Sequence, residues 1–420
     1  MGFSEESSFI IHQTAPFAQV REEREHPVAA ALAFGENTPY NGGRIQENGV
    51  ENMDLMFCMP CLFGLEGLVG NELRHMGLRD VAPENGRVYF VGTEEDIARV
   101  NLRSRFGERL LLVLGRFPAR TFDELFEGCR ALPWEDYIPG DAAFPVTGWA
   151  LESALHSVPD CQKIVKKAVV EAMKRRYRVE RFPESGGAYQ IRFGIWKDSA
   201  ALYLDCSGVG LYKRGYRPAQ VAAPLRETLA AAMVDIARYR GRGEFCDPFC
   251  GGGTVAIEAA LAARNRAPGL YRHFAAESWG WLDRGIWERC AQEARDREFH
   301  GDYTILASDI DPHAVELARA NALRAGVADI IRFEVADARK FARSCDRGTL
   351  VTNPPYGERM MEQREAGELY RDFGEAFRAT AGWSAAIISS HPQFEKCFGA
   401  RAAKRRKLYN GMIPCTLYLY

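Results

Sequence analysis

Two adjacent prolines at the end of an apolar run constrain the fold of this chain more than any other feature. Residues 348–351 read Gly-Thr-Leu-Val, and residues 352–359 read Thr-Asn-Pro-Pro-Tyr-Gly-Glu-Arg. Each proline fixes its own φ and lacks a backbone N–H, so a β-strand must end at Asn353. Each proline also keeps the residue before it out of the helical region. The sequence therefore predicts a stiff, extended turn with free carbonyl groups.

The side chains of this turn indicate a ligand. Asn353 adds a side-chain carbonyl, and Tyr356 adds a flat aromatic face. A rigid set of acceptors beside an aromatic plane suits a planar group that bears an NH2, and nucleobases carry such groups. An ordinary strand-to-loop turn is the alternative interpretation, because Asn and Pro are common turn residues.

Three earlier strands in the same region are also followed by polar or glycine residues. The predicted strands end in Gly251–Gly253 within DPFCGGGT, in Asp309 and Asp311 within SDIDP, and in Asp337 within ADA. Open α/β sheets bind ligands at the carboxyl ends of their strands. From about residue 225 onward, strands and helices alternate regularly, which predicts a doubly wound, Rossmann-like α/β domain.

The glycine spacing disfavours a nicotinamide dinucleotide. The turn reads G-G-G-T instead of G-x-G-x-x-G, and Asp309 follows Gly253 by far more than the roughly 20 residues of a dinucleotide fold. The additional residues form an insertion rich in Trp and Arg. An NAD-dependent dehydrogenase is therefore disfavoured.

The first half of the chain has a different pattern. Residues 1–52 lack lasting periodicity and are predicted to be a flexible N-terminal extension. From residue 53 to about 210, strand and helix patterns follow each other as in an α+β fold. The basic segment KRGYRP at 213–218 reads as a linker. We predict that residues 53–96, 97–210 and 211–420 form three successive domains.

Composition limits the location and the partners. The net charge is −2, so any nucleic acid must bind to local basic patches. No run of 18 apolar residues and no basic, apolar signal segment occurs, which predicts no membrane span and a cytoplasmic location. The 11 cysteines are scattered, as in a reduced protein. Cys58 and Cys61 form a single CxxC without a second pair, so we expect buried thiols and no metal.

One predicted helix concentrates positive charge. The segment KIVKKAVVEAMKRRYRVER, 163–181, has eight basic residues against two glutamates. Such a helix can bind phosphates, although a solvated helix face would look the same. The basic run RAAKRRK at 401–407 leaves the same two alternatives. The candidate RNA-binding residues are Lys163, Lys166, Lys167, Lys174 and Arg175.

The motifs together resemble a known family. DPFCGGGT, SDIDP, ADA and NPPYGER are similar to the ordered motifs of class I S-adenosylmethionine-dependent methyltransferases, and the NPPY form resembles those that methylate exocyclic amino groups. Upstream, LPWEDYIP, SALHSVPDCQKIVKKAVVEAMK and LYKRGYRPAQVAAPLRETLAAAM resemble THUMP-containing RNA methyltransferases. The most similar group is the bacterial 23S ribosomal RNA guanine-N2 methyltransferases. The resemblance covers about residues 53–420, with no sign of a second methyltransferase domain.

This resemblance implies a fold, a cofactor and a set of site residues. The fold would be a Rossmann-like seven-stranded sheet with a reversed last strand, preceded by a ferredoxin-like/THUMP module. S-adenosylmethionine would be the cofactor, and structured RNA the partner. The implied cofactor-binding residues are Thr228, Asp247, Gly251, Gly253, Asp309, Ile310, Asp337 and Ala338. The implied target-base residues are Asn353, Pro354, Pro355 and Tyr356, with Glu358 and Arg359 either contacting RNA or shaping the loop.

The implied activity is methyl transfer to the N2 amino group of a guanosine in structured RNA, with 23S ribosomal RNA as the first candidate. A transfer RNA guanine-N2 methyltransferase is an alternative. A DNA or protein-amide methyltransferase also fits the NPPY turn, but the THUMP-like half argues against both. A non-catalytic ribosome-assembly factor is the last alternative. It is disfavoured because a dead site has no physical need for all of these motifs.

Overall fold

The computed structural model describes residues 44–47, 50–179, 181–217, 225–343, 345–356 and 360–420. Two short strands, β1 (Arg44–Glu47) and β2 (Val50–Met53), form an antiparallel hairpin. The rest of the predicted extension 1–52 lies outside the described residues, as do Glu358 and Arg359. The prediction of a flexible extension is thus not tested there.

The first half of the chain forms one seven-stranded sheet in the order β4-β5-β3-β6-β9-β8-β7. Its strand β6 pairs antiparallel with both β3 and β9, so the strands of the first two predicted domains share a continuous sheet. Its elements are β3 (Leu55–Pro60), α1 (Glu66–His75), β4 (Arg79–Glu84), β5 (Arg87–Gly92), α2 (Glu94–Arg103), β6 (Leu111–Pro118), α3 (Phe122–Arg130), α4 (Trp134–Tyr137), β7 (Val146–Leu151), α5 (Val158–Tyr177), β8 (Ile191–Trp196) and β9 (Ser199–Asp205).

The second half forms another seven-stranded sheet, in the order β12-β11-β10-β13-β14-β16-β15. Its α-helices and strands are α6 (Glu227–Ile236), β10 (Glu244–Asp247), α7 (Thr254–Ala263), α8 (Gly285–Asp296), β11 (Thr304–Asp309), α9 (Pro312–Arg324), β12 (Ile331–Val335), β13 (Gly348–Thr352), α10 (Met360–Arg378), β14 (Trp383–Ser389), α11 (Phe394–Phe398), β15 (Lys404–Asn410) and β16 (Ile413–Leu419). Short 3-10 helices occupy Ala275–Ser278, Ala328–Ile330 and Ala338–Lys340.

Strand direction confirms the fold class predicted from the sequence. Strands β10 to β14 are parallel to one another, whereas β16 runs antiparallel to β14. This is a Rossmann-like sheet with a reversed last strand, preceded by an α+β module. The predicted boundary between residues 96 and 97 falls inside α2, and the domain limits remain predictions.

Local chemistry explains where several elements begin. Thr93 and Asp96 form a capping box at the start of α2, and Thr121 and Glu124 form one at the start of α3. Helix α9 begins after Asp311, whose carboxylate accepts from the His313 backbone N–H at 2.9 Å. These caps satisfy N–H groups that a helix start would otherwise leave without partners.

The insertion between α7 and β11 packs against the first half of the chain. The ring of Trp279 stacks on Tyr189, with 5.5 Å between centroids, and Trp281 meets Tyr137 edge-on at 5.4 Å. These contacts bury aromatic area between the two halves of the chain. Among the described residues, no helix is both long and apolar enough to cross a membrane.

Candidate functional site

The sheet order places the glycine turn and the NPPY turn on either side of one crevice. Strand β10 lies between β11 and β13, and all three are parallel. The chain leaves β10 towards one side of the sheet and β13 towards the other, so their carboxyl ends flank a topological switch point. Ligands of open α/β sheets bind at such points.

The glycine turn leaves room beside its backbone. Gly251 and Gly253 have φ values of +48° and +81°, which favour glycine. A Cβ at Gly253 would lie 2.9 Å from the Cβ of Ala318, so this glycine is required for packing against α9. A Cβ at Gly251 would meet nothing within 4 Å. The open space at Gly251 and the following start of α7 suit a ligand with a negatively charged group.

Asp309 connects the end of β11 to this turn. Its carboxylate accepts from the Gly251 backbone N–H at 2.9 Å and from the Asp311 backbone N–H at 3.1 Å. Next to it, Ile310 is 62% exposed, and Val335, on the neighbouring strand end, is 60% exposed. A carboxylate between two exposed apolar side chains fits a ribose and an adenine ring. The sequence prediction did not include Val335.

Asp337 and Ala338 follow β12 at the same edge. Ala338 is buried. The Asp337 carboxylate accepts from the Arg339 backbone N–H at 3.0 Å and forms an ion pair with the Arg339 guanidinium at 2.8 Å. The hydrogen bonds from Arg339 hold the pKa of Asp337 below its usual range. The carboxylate is thus ionised. Arg339 makes four contacts to its two oxygens, so an incoming amino group would have to displace one of these donors.

Asp247 links the glycine-turn strand to the NPPY strand. Its side chain is buried and accepts a hydrogen bond of 2.7 Å from the hydroxyl of Thr352, the last residue of β13. Burial raises the pKa of Asp247 to about 7, against the effect of the Thr352 hydrogen bond. This bond joins the two strand ends that flank the crevice.

The NPPY turn is held from two directions. The Tyr356 hydroxyl donates to the side-chain oxygen of Asn353, and the Tyr370 hydroxyl donates to the Pro355 carbonyl. Pro354 is buried, whereas Pro355 is exposed. Burial raises the pKa of Tyr356, so its phenol stays protonated and able to donate. Tyr370, on α10, was not foreseen, because nothing near it in the sequence marks it.

Thr228 has a different partner from the one expected. It is fully buried, and its hydroxyl donates to Glu108 at 2.6 Å. Glu108 also accepts from Arg226, so this cluster joins α6 to the first half of the chain. The role of Thr228 in cofactor binding remains a prediction.

The basic residues of α5 divide by exposure. Lys163 and Lys167 are exposed, and so is Arg175. Lys166 lies 3.6 Å from the ring centroid of Phe144 and donates to the Phe144 carbonyl, so it contributes to local packing. Lys174 forms an ion pair with Glu171 at 3.8 Å. At 100° per residue, all of these except Lys166 face the same third of the helix.

The cysteines show no sign of a metal centre. Among the described residues, no group of three or more His, Cys, Asp or Glu side chains has the arrangement of a metal site. Cys58 and Cys61 are buried, and burial raises the pKa of Cys58 to about 11. Such thiols are poor metal ligands and poor nucleophiles.

This geometry defines a class I methyltransferase joined to a THUMP module, and family models agree. The RMKL-like methyltransferase domain UPF0020 matches residues 214–419, the RlmL ferredoxin-like domain matches 56–111, and the THUMP domain matches 119–205. The chain belongs to the THUMP-containing, RlmL-like family of RNA methyltransferases, as its motifs predicted. S-adenosylmethionine is the cofactor of this class.

Individual relatives agree over most of the chain. "Putative RNA methyltransferase YpsC" of Bacillus subtilis is 41% identical over 85% of this chain and 93% of its own length. Ribosomal RNA large subunit methyltransferase K/L of Psychromonas ingrahamii is 36% identical over 87% of this chain. The alignment covers 50% of the length of that K/L protein, so the chain spans about half of it.

Solved structures share the whole architecture. A "predicted N6-adenine-specific DNA methylase" from Listeria monocytogenes superposes with a TM-score of 0.84 at 43% identity, covering 87% of this chain and 96% of that one. SMU.472, a "putative methyltransferase complexed with SAH", superposes with a TM-score of 0.83 at 39% identity, covering 87% of this chain and 98% of that one. TrmN from Thermus thermophilus shares the fold, with a TM-score of 0.62 at 22% identity. The alignment covers 87% of this chain and 99% of that one.

Proposed function

We propose that the protein transfers a methyl group from S-adenosylmethionine to the exocyclic N2 amino group of a guanosine in structured RNA of the cytoplasm. The first candidate substrate is 23S ribosomal RNA. The observation that carries this proposal is the junction of the glycine turn and the NPPY turn through the Thr352–Asp247 hydrogen bond. It brings the turn that would hold the cofactor and the acceptors that would hold an amino group to the same crevice.

The cofactor side of the crevice has the groups that S-adenosylmethionine requires. Asp309 would accept from the ribose hydroxyls, while Ile310 and Val335 would pack against the adenine ring. Asp337 would accept from the adenine amino group, next to Ala338. The turn at Gly251 and Gly253, supported by Asp247, would surround the methionine end. Bound S-adenosylmethionine would supply an electrophilic sulfonium methyl group.

The base side orients the nucleophile. The side-chain oxygen of Asn353 and the Pro354 carbonyl would accept the two protons of the guanine amino group and direct its lone pair towards the methyl group. These bonds strengthen as positive charge develops on nitrogen, so they favour the transition state. The proton then leaves to water, and no general base is assigned.

The Tyr356 contact implies a rearrangement when the base enters. The Tyr356 hydroxyl occupies the oxygen of Asn353 that the amino group needs. An incoming base would take over this oxygen, and the released Tyr356 ring would stack on the base after it leaves its helix. The Pro355 carbonyl stays bound to Tyr370, which keeps the backbone of the turn in place.

The THUMP half supports RNA as the substrate. Lys163, Lys167 and Arg175 would contact phosphates, with Lys174 beside them and Lys166 at the edge of the face. The K/L relatives are named for ribosomal RNA, and the Listeria relative for adenine in DNA. Adenine methylation is therefore the alternative that the experiment must separate.

The test is mass-spectrometric nucleoside analysis of ribosomal and transfer RNA from cells with and without the gene. Wild-type protein and the Asn353→Ala variant are each added back. We expect N2-methylguanosine to fall in ribosomal RNA without the gene and to return only with wild type. If N2-methylguanosine falls in transfer RNA instead, the substrate is transfer RNA. If N6-methyladenosine falls, the target base is adenine.

The Asn353→Ala variant needs a control for folding. Its affinity for S-adenosylhomocysteine, measured by calorimetry, should stay within about threefold of wild type, because Asn353 lies on the base side of the crevice. If no methylated nucleoside depends on the gene, the methyltransferase proposal fails and the assembly-factor alternative replaces it.

A further inference from the structure

The second sheet ends in a strongly basic edge. Strand β15 is the last strand of the sheet and pairs with β16 along its whole length. Its first four residues, Lys404 to Lys407, are all basic and all exposed. Arg405 forms an ion pair with Glu395, while within the described part of the chain no carboxylate pairs with Lys404, Arg406 or Lys407. This edge is a concentrated positive surface on the catalytic half.

Strand alternation separates these charges into two sets. Residues two apart along a strand share a face, so Lys404 and Arg406 lie on the face opposite Arg405 and its partner Glu395. Glu395 pairs with Arg405 on one face of the strand, so it does not compensate the positive charges of Lys404 and Arg406 on the other face. Two like charges on one face repel each other, which is a cost that an anionic partner would remove.

The hairpin ends in an apolar tip. Asn410 pairs with Ile413 across the turn, and Gly411, with φ of +63°, allows the tight reversal. Met412 is 49% exposed and Ile413 is 36% exposed. Large apolar side chains at the tip of a charged hairpin add nothing to the core of the domain.

The tip stands next to the proposed base site. Asn410 and Cys415, from the two strands of the hairpin, lie beside the phenol of Tyr356 and interact with it. The exposed tip at Met412 is thus only two residues from a neighbour of the NPPY turn. The basic edge leads along β15 towards the place where a target base would be held.

The hairpin is also anchored to the first half of the chain. The ring of Phe63 meets Tyr409 edge-on, with 6.3 Å between centroids. A Cβ at Gly64 would lie 3.1 Å from the Lys407 carbonyl, so this turn packs closely against β15. The hairpin is therefore held between the ferredoxin-like segment and the crevice.

We propose that the β15–β16 hairpin is an RNA-binding element of the catalytic half, an inference that rests on the proposed function. Lys404 and Arg406 bind phosphates of the strand that flanks the target guanosine. Met412, at the tip, occupies the space that the guanosine leaves when it turns out of its helix, as apolar wedges do in other nucleic-acid complexes. The hairpin thus aligns RNA at the site where the chemistry occurs.

The phosphate contacts are tested with the double variant Lys404→Glu/Arg406→Glu. The probe is 23S ribosomal RNA purified from cells that lack the gene, and binding is measured by filter retention at several salt concentrations. We expect the affinity to fall at least about tenfold and the slope of log K against log salt to become shallower by about 2. Affinity for S-adenosylhomocysteine should not change.

A matched control separates local contacts from overall charge. Arg289→Glu/Arg295→Glu introduces the same charge change on α8, where both arginines are about half exposed. We expect this variant to bind RNA within about twofold of wild type. Equal losses in the two variants would overturn the proposal, since a general change of charge would then explain both.

The tip is tested separately with Met412→Ala. This side chain is exposed, so its removal should not change thermal unfolding. We expect RNA and S-adenosylhomocysteine affinities within about twofold of wild type, but a single-turnover methylation rate that is about five- to tenfold lower. An unchanged single-turnover methylation rate would show that Met412 does not act as a wedge.

The outcomes distinguish the inference from the function on which it rests. If wild-type protein binds S-adenosylhomocysteine but neither binds nor methylates RNA, the proposed function fails. If wild type methylates RNA and the Lys404→Glu/Arg406→Glu variant binds it equally well, only the hairpin proposal fails.

Discussion

Two clusters of charged residues in this protein, each with pairs of opposite charge, have different roles. At the junction of the two halves, Arg214 and Glu258 form a pair with side chains 3% and 0% exposed, and Arg217 and Glu227 form another at 12% and 3%. On α5, the side chain of Lys163 is 77% exposed, and its partner Asp160 is 52% exposed. The first cluster is part of the core, and the second faces solvent.

The buried cluster holds the helix that follows the glycine turn. Arg217 donates to both carboxylate oxygens of Glu227 and to the hydroxyl of Thr254, the first residue of α7. Arg214 reaches Glu258 one turn further along this helix. Since Arg214 also donates to the Ser104 and Arg105 carbonyls, it links α7 to the first half of the chain.

A third arginine completes this arrangement. Arg105, from the first half, donates to the Leu261 carbonyl at 3.2 Å. Thr254, Glu258 and Leu261 are spaced i, i+4 and i+7, so they lie on one face of α7. Three arginines therefore fix that face and, with it, the position of the glycine turn.

The difference between the clusters shows how burial changes what a charged pair does. Breaking a buried ion pair leaves a charge without solvent or partner and costs about 3–5 kcal/mol. An exposed pair contributes about 0–1 kcal/mol, so its residues remain available for phosphates. Each of the following experiments tests this difference, beginning with the largest expected effect.

The largest effect is expected for Arg214→Met. Glu258 would keep a buried carboxylate without its cation, so the free energy of unfolding should fall by about 3–5 kcal/mol, measured by urea unfolding. The double variant Arg214→Met/Glu258→Gln should recover part of this loss, because the carboxylate left without Arg214 is replaced by a neutral amide. A loss below about 1 kcal/mol would mean that this buried pair behaves like an exposed one.

A buried acid without an arginine should make stability depend on pH. Burial raises the pKa of Asp247 to about 7, from 3.8 in an unfolded chain. Between these values the unfolded chain releases the proton and the native protein retains it. The free energy of unfolding should therefore fall by about 2–4 kcal/mol between pH 4 and pH 7.

Asp247→Asn is the reference for this pH effect. The asparagine can still accept from Thr352 but cannot ionise, so the fall between pH 4 and pH 7 should be absent from this variant. If the free energy of unfolding changed with pH in the same way in both proteins, Asp247 would be ionised in the native state at neutral pH.

A smaller effect, on ligand affinity, is expected at Arg217, in addition to the loss of stability that follows from leaving Glu227 buried without its cation. Arg217→Met removes the donor to Thr254 and should weaken S-adenosylhomocysteine binding about tenfold, or about 1.4 kcal/mol, measured by calorimetry. Arg217→Lys should restore only part of the affinity, because a lysine cannot donate to both oxygens of Glu227 in one plane. Unchanged affinity in Arg217→Met would show that the glycine turn does not depend on this contact.

The smallest effect on stability is expected for the exposed face of α5. The triple variant Lys163→Glu/Lys167→Glu/Arg175→Glu should change the free energy of unfolding by no more than about 0.5 kcal/mol. Its affinity for 23S ribosomal RNA should nevertheless fall, with a shallower salt dependence, in filter-binding experiments. A loss of stability above about 1 kcal/mol without a change in RNA binding would assign this face to the fold.

The local features of the site could be predicted because each depends on a few neighbouring residues. The strand does end at Thr352, directly before Asn353 and the prolines, and the glycines at 251–253 do follow strand β10. Strand ends in a parallel sheet necessarily meet at one edge, so the juxtaposition of the turns followed from element order.

The partners of the site residues could not be predicted in this way. Thr228 bonds to Glu108, 120 residues away, and Thr352 bonds to Asp247, 105 residues away. The motif KRGYRP reads as a linker, yet Arg214 bonds to both halves of the chain, and Arg217 is held by Glu227 and Thr254. Nothing local in the sequence distinguishes an arginine that will be buried from one that will face solvent.

The sequence by itself thus determined the element types, the fold class, the cofactor class and the turns that surround the crevice. These depend on proline and glycine geometry, on hydrophobic periodicity and on motifs of a few residues. Only the tertiary structure decided which charges are buried, which hydroxyl meets which carboxylate, and where the basic hairpin stands relative to the NPPY turn. The physical reason is that burial and hydrogen-bond partners depend on how distant segments pack, and this information is not local.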